Sequence, residues 1–280
     1  LTAELTIVMD AKSAAYFETT DLLDFPGYRS RYKIDDITRE IRKPGMLKEL
    51  FLRGKVAYLF QRYCTERELT SMLLCSGPSN QEVQDLPGVI NDWVLSTHGE
   101  TADAREGRDV SLFFILTKFD MEFEQKKGAP SVETRWDNRL HASLLDFFGK
   151  QHDWPTEWDR HGAFHNLFLL RNPNFRIDAV LRYDSQGREQ GIREEMRGYV
   201  ADLENAFMKS ALVKAHFTDP RASWDAAMRL NDGGISYIRE SLSPLCRPEI
   251  KNMQLEQSIH ETCRQIHRRL SAFYRSNDSE

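Results

Sequence analysis

The sequence predicts an α/β protein with a mostly parallel sheet, followed by a helical C-terminal part. From residue 1 to about residue 175, short apolar runs alternate with longer segments of helical spacing, which is typical of strands and helices in βαβ order. After Gly187 no strand-like run follows, and apolar residues recur at the three- and four-residue spacing of helices. We therefore expect an α/β domain at 1–180 and a helical domain at 181–280.

Five apolar runs predict strands, at 4–9, 21–25, 70–76, 110–117 and 166–171. The run at 110–117 is the clearest, because its five consecutive apolar residues suit a central strand that is covered on both faces. The run at 21–25 ends at Pro26 and Gly27, and the run at 70–76 ends at Gly77 and Pro78, which are residues typical of turns.

Helices are predicted between and after these strands. In the first part they lie at 35–63, with an interruption near Pro44, and at 80–95 and 132–150; in the second part they lie at 188–214, 220–230, 234–245 and 248–274. The last helix carries an apolar stripe: Leu255, Ile259, Cys263, Ile266, Leu270 and Phe273. We predict that this stripe is buried in a helical bundle, with a partner surface or a self-assembly surface as the alternative.

Composition excludes two classes of protein. Lys and Arg number 38 against 43 Asp and Glu, and the resulting net charge of −5 argues against a nucleic-acid binder, which needs a basic face. The longest uncharged apolar run, 110–117, is far shorter than the roughly 20 residues of a membrane-spanning helix. The four cysteines stand far apart and indicate reduced, buried thiols of a cytosolic protein.

Two tetrapeptides follow strands at the ends where an α/β protein binds nucleotides. In the first, Asp24 can hold Mg²⁺ through a water, and Gly27 lets a backbone N–H approach a phosphate. In the second, Asp120 can accept two hydrogen bonds from guanine, and the stem of Lys118, which follows Thr117, can lie along the base. Each tetrapeptide alone could be an ordinary turn, and together, in this order, they favour a nucleotide site.

The two motifs resemble the switch motif and the guanine motif of P-loop GTPases of the translation-factor class, and within that class the dynamin-like proteins. The resemblance implies a P-loop NTPase-like three-layer domain that binds GTP with Mg²⁺ through Asp24. It also implies a base-contacting loop at 171–173, which includes Asn172. The helices after the boundary resemble the bundle that follows a dynamin-like GTPase domain. More narrowly, the segments 22–31 and 54–60 resemble bacterial virulence factors of the SrfC type, which implies a cytoplasmic protein, with secretion as an effector as the alternative.

The sequence departs from the GTPase pattern in two respects, of which the lesser is length, because Asp24 and Asp120 lie 96 positions apart. It has no Gly-x-x-x-x-Gly-Lys-[Ser/Thr] motif, whose backbone and lysine hold the phosphates. We expect that strand and loop to precede Leu1 in a longer chain, so that GTP hydrolysis requires the upstream segment; no hydrolytic residue stands out here. The rival hypothesis is an inactive pseudo-GTPase that acts as an interaction scaffold.

The missing strand leads to a prediction about the sheet and its partners. In the family this strand lies between the switch strand (21–25) and the next one (70–76), so we predict that these two do not pair directly. The expected partners are guanine nucleotide, the upstream segment or another protein chain that fills the slot, and a second copy through the helical domain.

Overall fold

The computed structural model of the protein describes residues 15–25, 36–78, 86–125, 131–172, 174–271 and 273. Within these residues, a parallel sheet has the strand order β1 (Met72–Ser76), β2 (Leu112–Leu116), β3 (Leu167–Leu169). Helices lie between consecutive strands. The predicted α/β architecture with a parallel sheet is therefore confirmed.

β2 is the centre of this sheet, and all five of its residues are buried. Phe114 belongs to the larger of two apolar clusters, whereas its neighbours Phe113 and Ile115 belong to the smaller one. A strand with a core on each face needs apolar residues at consecutive positions, which is why this run gave the clearest prediction.

The helices before and between the strands are α1 (Ile37–Glu40), α2 (Met46–Thr65), α3 (Leu86–His98), α4 (Ala102–Arg105) and α5 (Arg135–Leu140), which continues into a π-helical segment, His141–Gly149. After β3 and a hairpin come α6 (Arg197–Lys209), α7 (Ala211–His216), α8 (Pro220–Met228), α9 (Ile235–Leu242) and α10 (Glu249–Ser271). Short 3-10 segments lie at Ala15–Glu18, Phe119–Phe123, Glu194–Met196 and Ser243–Leu245. The break between α1 and α2 falls at Pro44, as predicted.

The hairpin corrects the prediction that no strand follows Gly187. β4 (Leu181–Tyr183) pairs antiparallel with β5 (Glu189–Ile192). β5 is too polar to be recognised as a strand, and two contacts made by side chains fix it instead. The carboxylate of Asp184 accepts hydrogen bonds from the backbone N–H groups of Gln186 and Arg188 and closes the turn, and Glu189 is buried by a contact outside the hairpin.

The predicted strand at 21–25 is also wrong, because this segment has no regular secondary structure. Its last residue, Phe25, packs edge-on against Phe60 and Tyr63 of α2, with ring centroids 5.3 and 5.8 Å apart. Among the described residues β1 pairs only with β2, so the direct pairing of 21–25 with 70–76 that we predicted against does not occur. The predicted strand at 4–9 lies outside the described residues.

The larger apolar cluster contains residues from both sides of the predicted boundary near residue 180. Phe119, which follows β2, contacts the ring of Trp224 in α8, and Trp136 in α5 donates a hydrogen bond to the backbone carbonyl of Leu203 in α6. The division of the chain into two domains stays a prediction. Across the described part of the chain, no helix is both long and apolar enough to cross a membrane.

Two predictions of burial are wrong. In α10, Leu255 is half-buried, but Ile259, Ile266 and Leu270 are 61%, 51% and 59% exposed, because another face of the helix contacts the protein. All four cysteines are free thiols, but only Cys246 is fully buried, and Cys75 and Cys263 are exposed.

His98 is an uncharged histidine at the end of α3. It is 1% exposed, and Trp93 and Trp158 contact its ring edge-on. The backbone N–H of Ser111 donates to its Nε2 over 3.0 Å, so this nitrogen is an acceptor. Burial lowers the pKa of His98 to about 3, and the charges of Arg108 and Arg105 act in the same direction.

This histidine makes stability depend on pH. Because its folded pKa lies below the unfolded value of 6.5, the unfolded chain binds a proton first as the pH falls, and stability is lost between pH 6.5 and about pH 3. We expect a loss of about 2 kcal/mol at pH 5 from this group. In urea titrations, the free energy of unfolding of the wild type should fall between pH 7 and pH 5, and in His98→Gln this fall should be smaller by about this amount. The exposed variant His260→Gln should keep the wild-type difference, and an unchanged difference in His98→Gln would contradict the assignment.

Candidate functional site

The carboxyl ends of the three parallel strands meet at one edge of the sheet. The backbone N–H of Thr117, after β2, donates to the carbonyl of Ser76 at the end of β1 over 2.9 Å. On the other side, the N–H of Leu170, after β3, donates to the carbonyl of Leu116 over 3.0 Å. Ligands of open α/β sheets bind in the crevice at this edge, so the residues that follow each strand are the candidates for a site.

The segment from Thr117 to Asp120 turns sharply at this edge. Lys118 has the left-handed backbone angles φ 58° and ψ 38°, which cost an L-residue roughly 1–2 kcal/mol. Phe119 holds the turn in place, since its side chain is 3% exposed and contacts Phe123, Trp136 and Trp224. The side chain of Lys118 is exposed, so the strained turn places a cation at the surface next to a buried carboxylate.

That carboxylate belongs to Asp120, which is 3% exposed. Its Oδ2 accepts a hydrogen bond from the backbone N–H of Asn172 over 2.9 Å, whereas its Oδ1 has no hydrogen-bond partner among the described residues. Burial raises the pKa of Asp120, and the N–H of Asn172 and the charge of Arg171 oppose this effect only in part. A buried acceptor without a donor costs about 1–3 kcal/mol, so Oδ1 is a position at which a bound donor would be stabilising.

The loop after β3 supplies the N–H group for Asp120. Asn172 lies at the surface, where its own side chain accepts from the N–H of Asn174 over 3.0 Å. Arg171 points inward: it is 1% exposed and forms an ion pair with Glu189 of β5 through two hydrogen bonds, one of them 2.8 Å long. The side chain of Arg171 therefore stabilises the fold and is not available to contact a base. Of the other residues in the predicted base-contacting loop, Asn172 is described and Pro173 lies outside the described residues.

Glu189 is held from several directions. Its Oε2 accepts from the backbone N–H of Asn231 over 2.7 Å, and its own N–H donates to the side-chain oxygen of Asn231 over 2.8 Å. Burial acts to raise the pKa of Glu189, but the hydrogen bonds from Arg171 and Asn231 outweigh it, so this pKa lies below its ordinary value. The ion pair thus ties the loop that positions Asp120 to the hairpin and to the turn between α8 and α9.

Asp24 lies near the end of β1. Burial raises the pKa of Cys75, and the negative charge of Asp24 raises it further, which places this carboxylate close to the last residues of the strand. Asp24 is itself exposed. Gly27, the other residue of the predicted switch motif, lies outside the described residues.

Arg139 is a residue at this edge that the sequence did not indicate. It is 8% exposed, and its Nη2 donates to the carbonyls of Ser76 and Thr117 over 3.1 and 3.2 Å, so it joins the ends of β1 and β2. Burial lowers its pKa, and Glu122 opposes that effect. One feature of the sequence could have identified Arg139: it lies between Trp136 and Leu140 on the apolar face of a predicted helix, where an arginine is unusual.

The predicted site residues therefore fall into three groups. The structure brings together Thr117, Lys118, Asp120 and Asn172. The charge of Asp24 acts on the Cys75 thiol of the neighbouring strand, and Gly27 lies outside the described residues. In the described part of the chain, no three His, Cys, Asp or Glu side chains converge as metal ligands. Mg²⁺ in nucleotide sites needs only one or two carboxylates beside waters and phosphates, so the role of Asp24 stays a prediction.

Comparison with known proteins gives one match. A family model described as "Putative bacterial virulence factor" matches residues 1–280. No curated protein and no solved structure matches the chain.

Proposed function

The chain belongs to this family of "putative bacterial virulence factors", and we propose that within it the chain supplies the base-recognition part of a guanine-nucleotide site. The observation that carries the proposal is the buried carboxylate of Asp120, whose Oδ1 has no partner among the described residues. Its place at the carboxyl edge of a parallel sheet supports the proposal, because this is where such sheets bind nucleotides.

Guanine fits Asp120 by its hydrogen-bonding groups. Its N1–H and exocyclic amine are adjacent donors, and an ionised carboxylate accepts from both in a charge-assisted contact. Adenine has an acceptor at N1 and no amine at C2, so the edge that guanine would present to the carboxylate offers no donor. Burial raises the pKa of Asp120, since it disfavours the ionised form. Two donors from a bound base would stabilise that form and oppose this effect.

Two neighbours of Asp120 have further roles in this proposal. The exposed stem of Lys118 would cover one face of the base. Asp120 is buried, so a base can reach its Oδ1 only after a local movement of the protein. Asn172 is exposed and its backbone N–H donates to the carboxylate, so a movement of this residue would act on Asp120 directly. Base binding should therefore displace the backbone of Asn172.

The phosphate part of the site rests on fewer observations. Asp24 lies near the end of β1 and would hold Mg²⁺ through a water, with GTP supplying the other oxygen ligands. The resemblance to GTPases assigns the remaining phosphate contacts to a P-loop that this sequence does not contain. We therefore expect strong binding and hydrolysis of GTP only in a protein that includes such a segment.

A second candidate function is an interaction scaffold with a nucleotide-type fold and no turnover. The exposed apolar side chains of α1 and α2 favour it: Ile37, Leu47, Phe51 and Tyr58 are 62%, 65%, 52% and 63% exposed. Large apolar side chains that are exposed to this extent are typical of surfaces that contact other proteins.

Exchange of the carboxylate for an amide separates these functions. Asp120→Asn offers a donor to the guanine donors, so GTP affinity should fall about 30- to 100-fold, whereas XTP, with a carbonyl in place of the amine, should gain. We would titrate GTP, ATP and XTP with Mg²⁺ by calorimetry against the full-length natural protein and its Asp120→Asn variant. The exposed variant Asp178→Asn serves as the matched control and should bind like the wild type.

Folding and binding must be measured separately for this variant. Because ionised Asp120 is buried with an unsatisfied oxygen, the amide should leave the free energy of unfolding at pH 7 unchanged or raise it. Equal binding of GTP and ATP by the wild type, or an unchanged base preference in a folded Asp120→Asn protein, would contradict base recognition and leave the scaffold function.

A further inference from the structure

α10 presents its apolar residues to solvent. Five residues form a row along its C-terminal half and its end: Ile259, Cys263, Ile266, Leu270 and Phe273. Every member of this row is exposed, and the four large apolar side chains range from 51% exposed at Ile266 to 81% at Phe273. A row of large apolar side chains on a helix normally faces a core.

The face of α10 that contacts the protein is polar except at its start, where Ile250 is buried. The side-chain amide of Gln254 donates to the carbonyl of Thr70 over 2.9 Å, and Arg67 donates to the hydroxyl of Ser258 over 3.3 Å. Glu261 and Gln265, the next two positions on this face, are half-buried. The helix is therefore held by Ile250 and by these polar residues, and the row of exposed apolar residues points away from the molecule.

The spacing of the apolar row indicates what would cover it. Successive members are four, three, four and three residues apart, which is the a/d pattern of a helix that packs along a second helix. The row is about 20 Å long, enough for two heptads. A lipid surface is matched by a broad apolar face, whereas this row is a narrow seam.

Charge indicates the chemistry of that second helix. The seam is flanked by His260 and His267 on one side and by Thr262 and Arg269 on the other. Within 259–273 there are three arginines and one glutamate, and that glutamate, Glu261, pairs with Arg264 over 2.6 Å. Arg269 has no ion pair in the described part of the chain. A second copy would bring the same basic flanks to the seam, whereas Asp or Glu at the facing positions would complement them.

We propose that the row 259–273 of α10 is a docking site for an amphipathic helix of a partner protein, with an a/d apolar seam flanked by acidic residues. This inference does not depend on nucleotide binding. Docking would bury the apolar side chains that the chain leaves in water and would pair Arg269 with a carboxylate.

The probe is a synthetic four-heptad peptide with Ile and Leu at a and d and Glu at e and g, and the control peptide has Lys at e and g. By fluorescence anisotropy with the intact chain, the acidic peptide should bind at least about tenfold more tightly than the basic one, with a preference that weakens at high salt. The double variant Ile259→Ser with Ile266→Ser should weaken binding of the acidic peptide by about tenfold or more.

Two further variants keep the test specific. Ile235→Ser, which replaces an equally exposed isoleucine (54%) on α9, should bind the acidic peptide like the wild type. Arg269→Glu should lose the preference for the acidic peptide while it remains folded. Binding of both peptides alike, or binding unchanged by the double variant, would overturn the proposal. The proposal would also be overturned if the chain forms a dimer in sedimentation, or adsorbs to phosphatidylserine vesicles, and the double variant abolishes that behaviour. The occupant of the row would then be a second copy or a lipid surface.

Discussion

Glu189→Ala is expected to destabilise the protein by about 3–5 kcal/mol, because it leaves the buried guanidinium of Arg171 without its counter-charge. Both side chains of this pair are almost fully buried, at 1% and 0% exposed. The substitution also removes the acceptor for the N–H of Asn231. The measurement is the free energy of unfolding in urea at pH 7, where the low pKa of Glu189 keeps the carboxylate ionised.

Two comparisons show that the effect comes from burial. Glu66→Ala breaks the exposed ion pair with Arg62, which should cost less than about 1 kcal/mol. Glu189→Gln keeps the side-chain shape and one acceptor, so we expect a loss between those of the other two variants. If Glu189→Ala costs no more than Glu66→Ala, the pair is not buried in solution, and Arg171 is available for another role.

The sheet was predictable from sequence because its strands carry their own signal. β2 has five consecutive apolar residues with a core on each face, so its composition alone identifies it. β4 and β5 carry no such signal, since β5 begins with Glu189, which is buried only because Arg171 lies 18 positions away in sequence and beside it in space. Contacts between distant residues determine this hairpin, and periodicity cannot detect them.

The orientation of α10 shows a second limit of sequence patterns. The spacing of Ile259, Ile266 and Leu270 predicted an amphipathic helix, and the helix exists over Glu249–Ser271. The pattern identifies which residues share a face, but it cannot indicate whether that face meets the same chain or another molecule. Here the contacts of the opposite face, among them the buried side chain of Ile250 and the hydrogen bond of Gln254, hold the helix and leave the apolar row in solvent.

The candidate site was predictable only as far as its motifs are local. Thr117, Lys118 and Asp120 follow β2 directly, so a strand prediction was enough to place them at the sheet edge. The N–H of Asn172 reaches Asp120 from 52 positions away, which spacing in the sequence cannot indicate, and Asn172 was named only as a residue that the resemblance to GTPases implies. Arg139 was missed because its role depends on two backbone carbonyls, which no residue pattern encodes.

Gly233→Ala should cost about 3–5 kcal/mol of folding free energy, for two reasons that add. Gly233 has a φ of +64°, a left-handed conformation that disfavours any residue with a Cβ atom. A Cβ at this position would also lie 2.5 Å from the carbonyl oxygen of Arg171, a backbone atom that cannot move aside without shifting the end of β3. The N–H of Arg171 donates to the carbonyl of Gly233 over 2.8 Å, so the two segments are already in register at this point.

Gly187→Ala is the matched control, because Gly187 has a similar φ of +77°, but a Cβ at this position would have no neighbouring atom within 4 Å among the described residues. It should lose only about 1–2 kcal/mol, the cost of the backbone conformation alone. The difference between the two variants in urea titration therefore measures the close approach of the turn before α9 to β3.

Because a displaced Arg171 also moves the N–H of Asn172 away from Asp120, Gly233→Ala should weaken any preference for GTP over ATP, and Gly187→Ala should leave it intact. Equal losses of stability in the two variants would show that the turn and the strand end are further apart in solution.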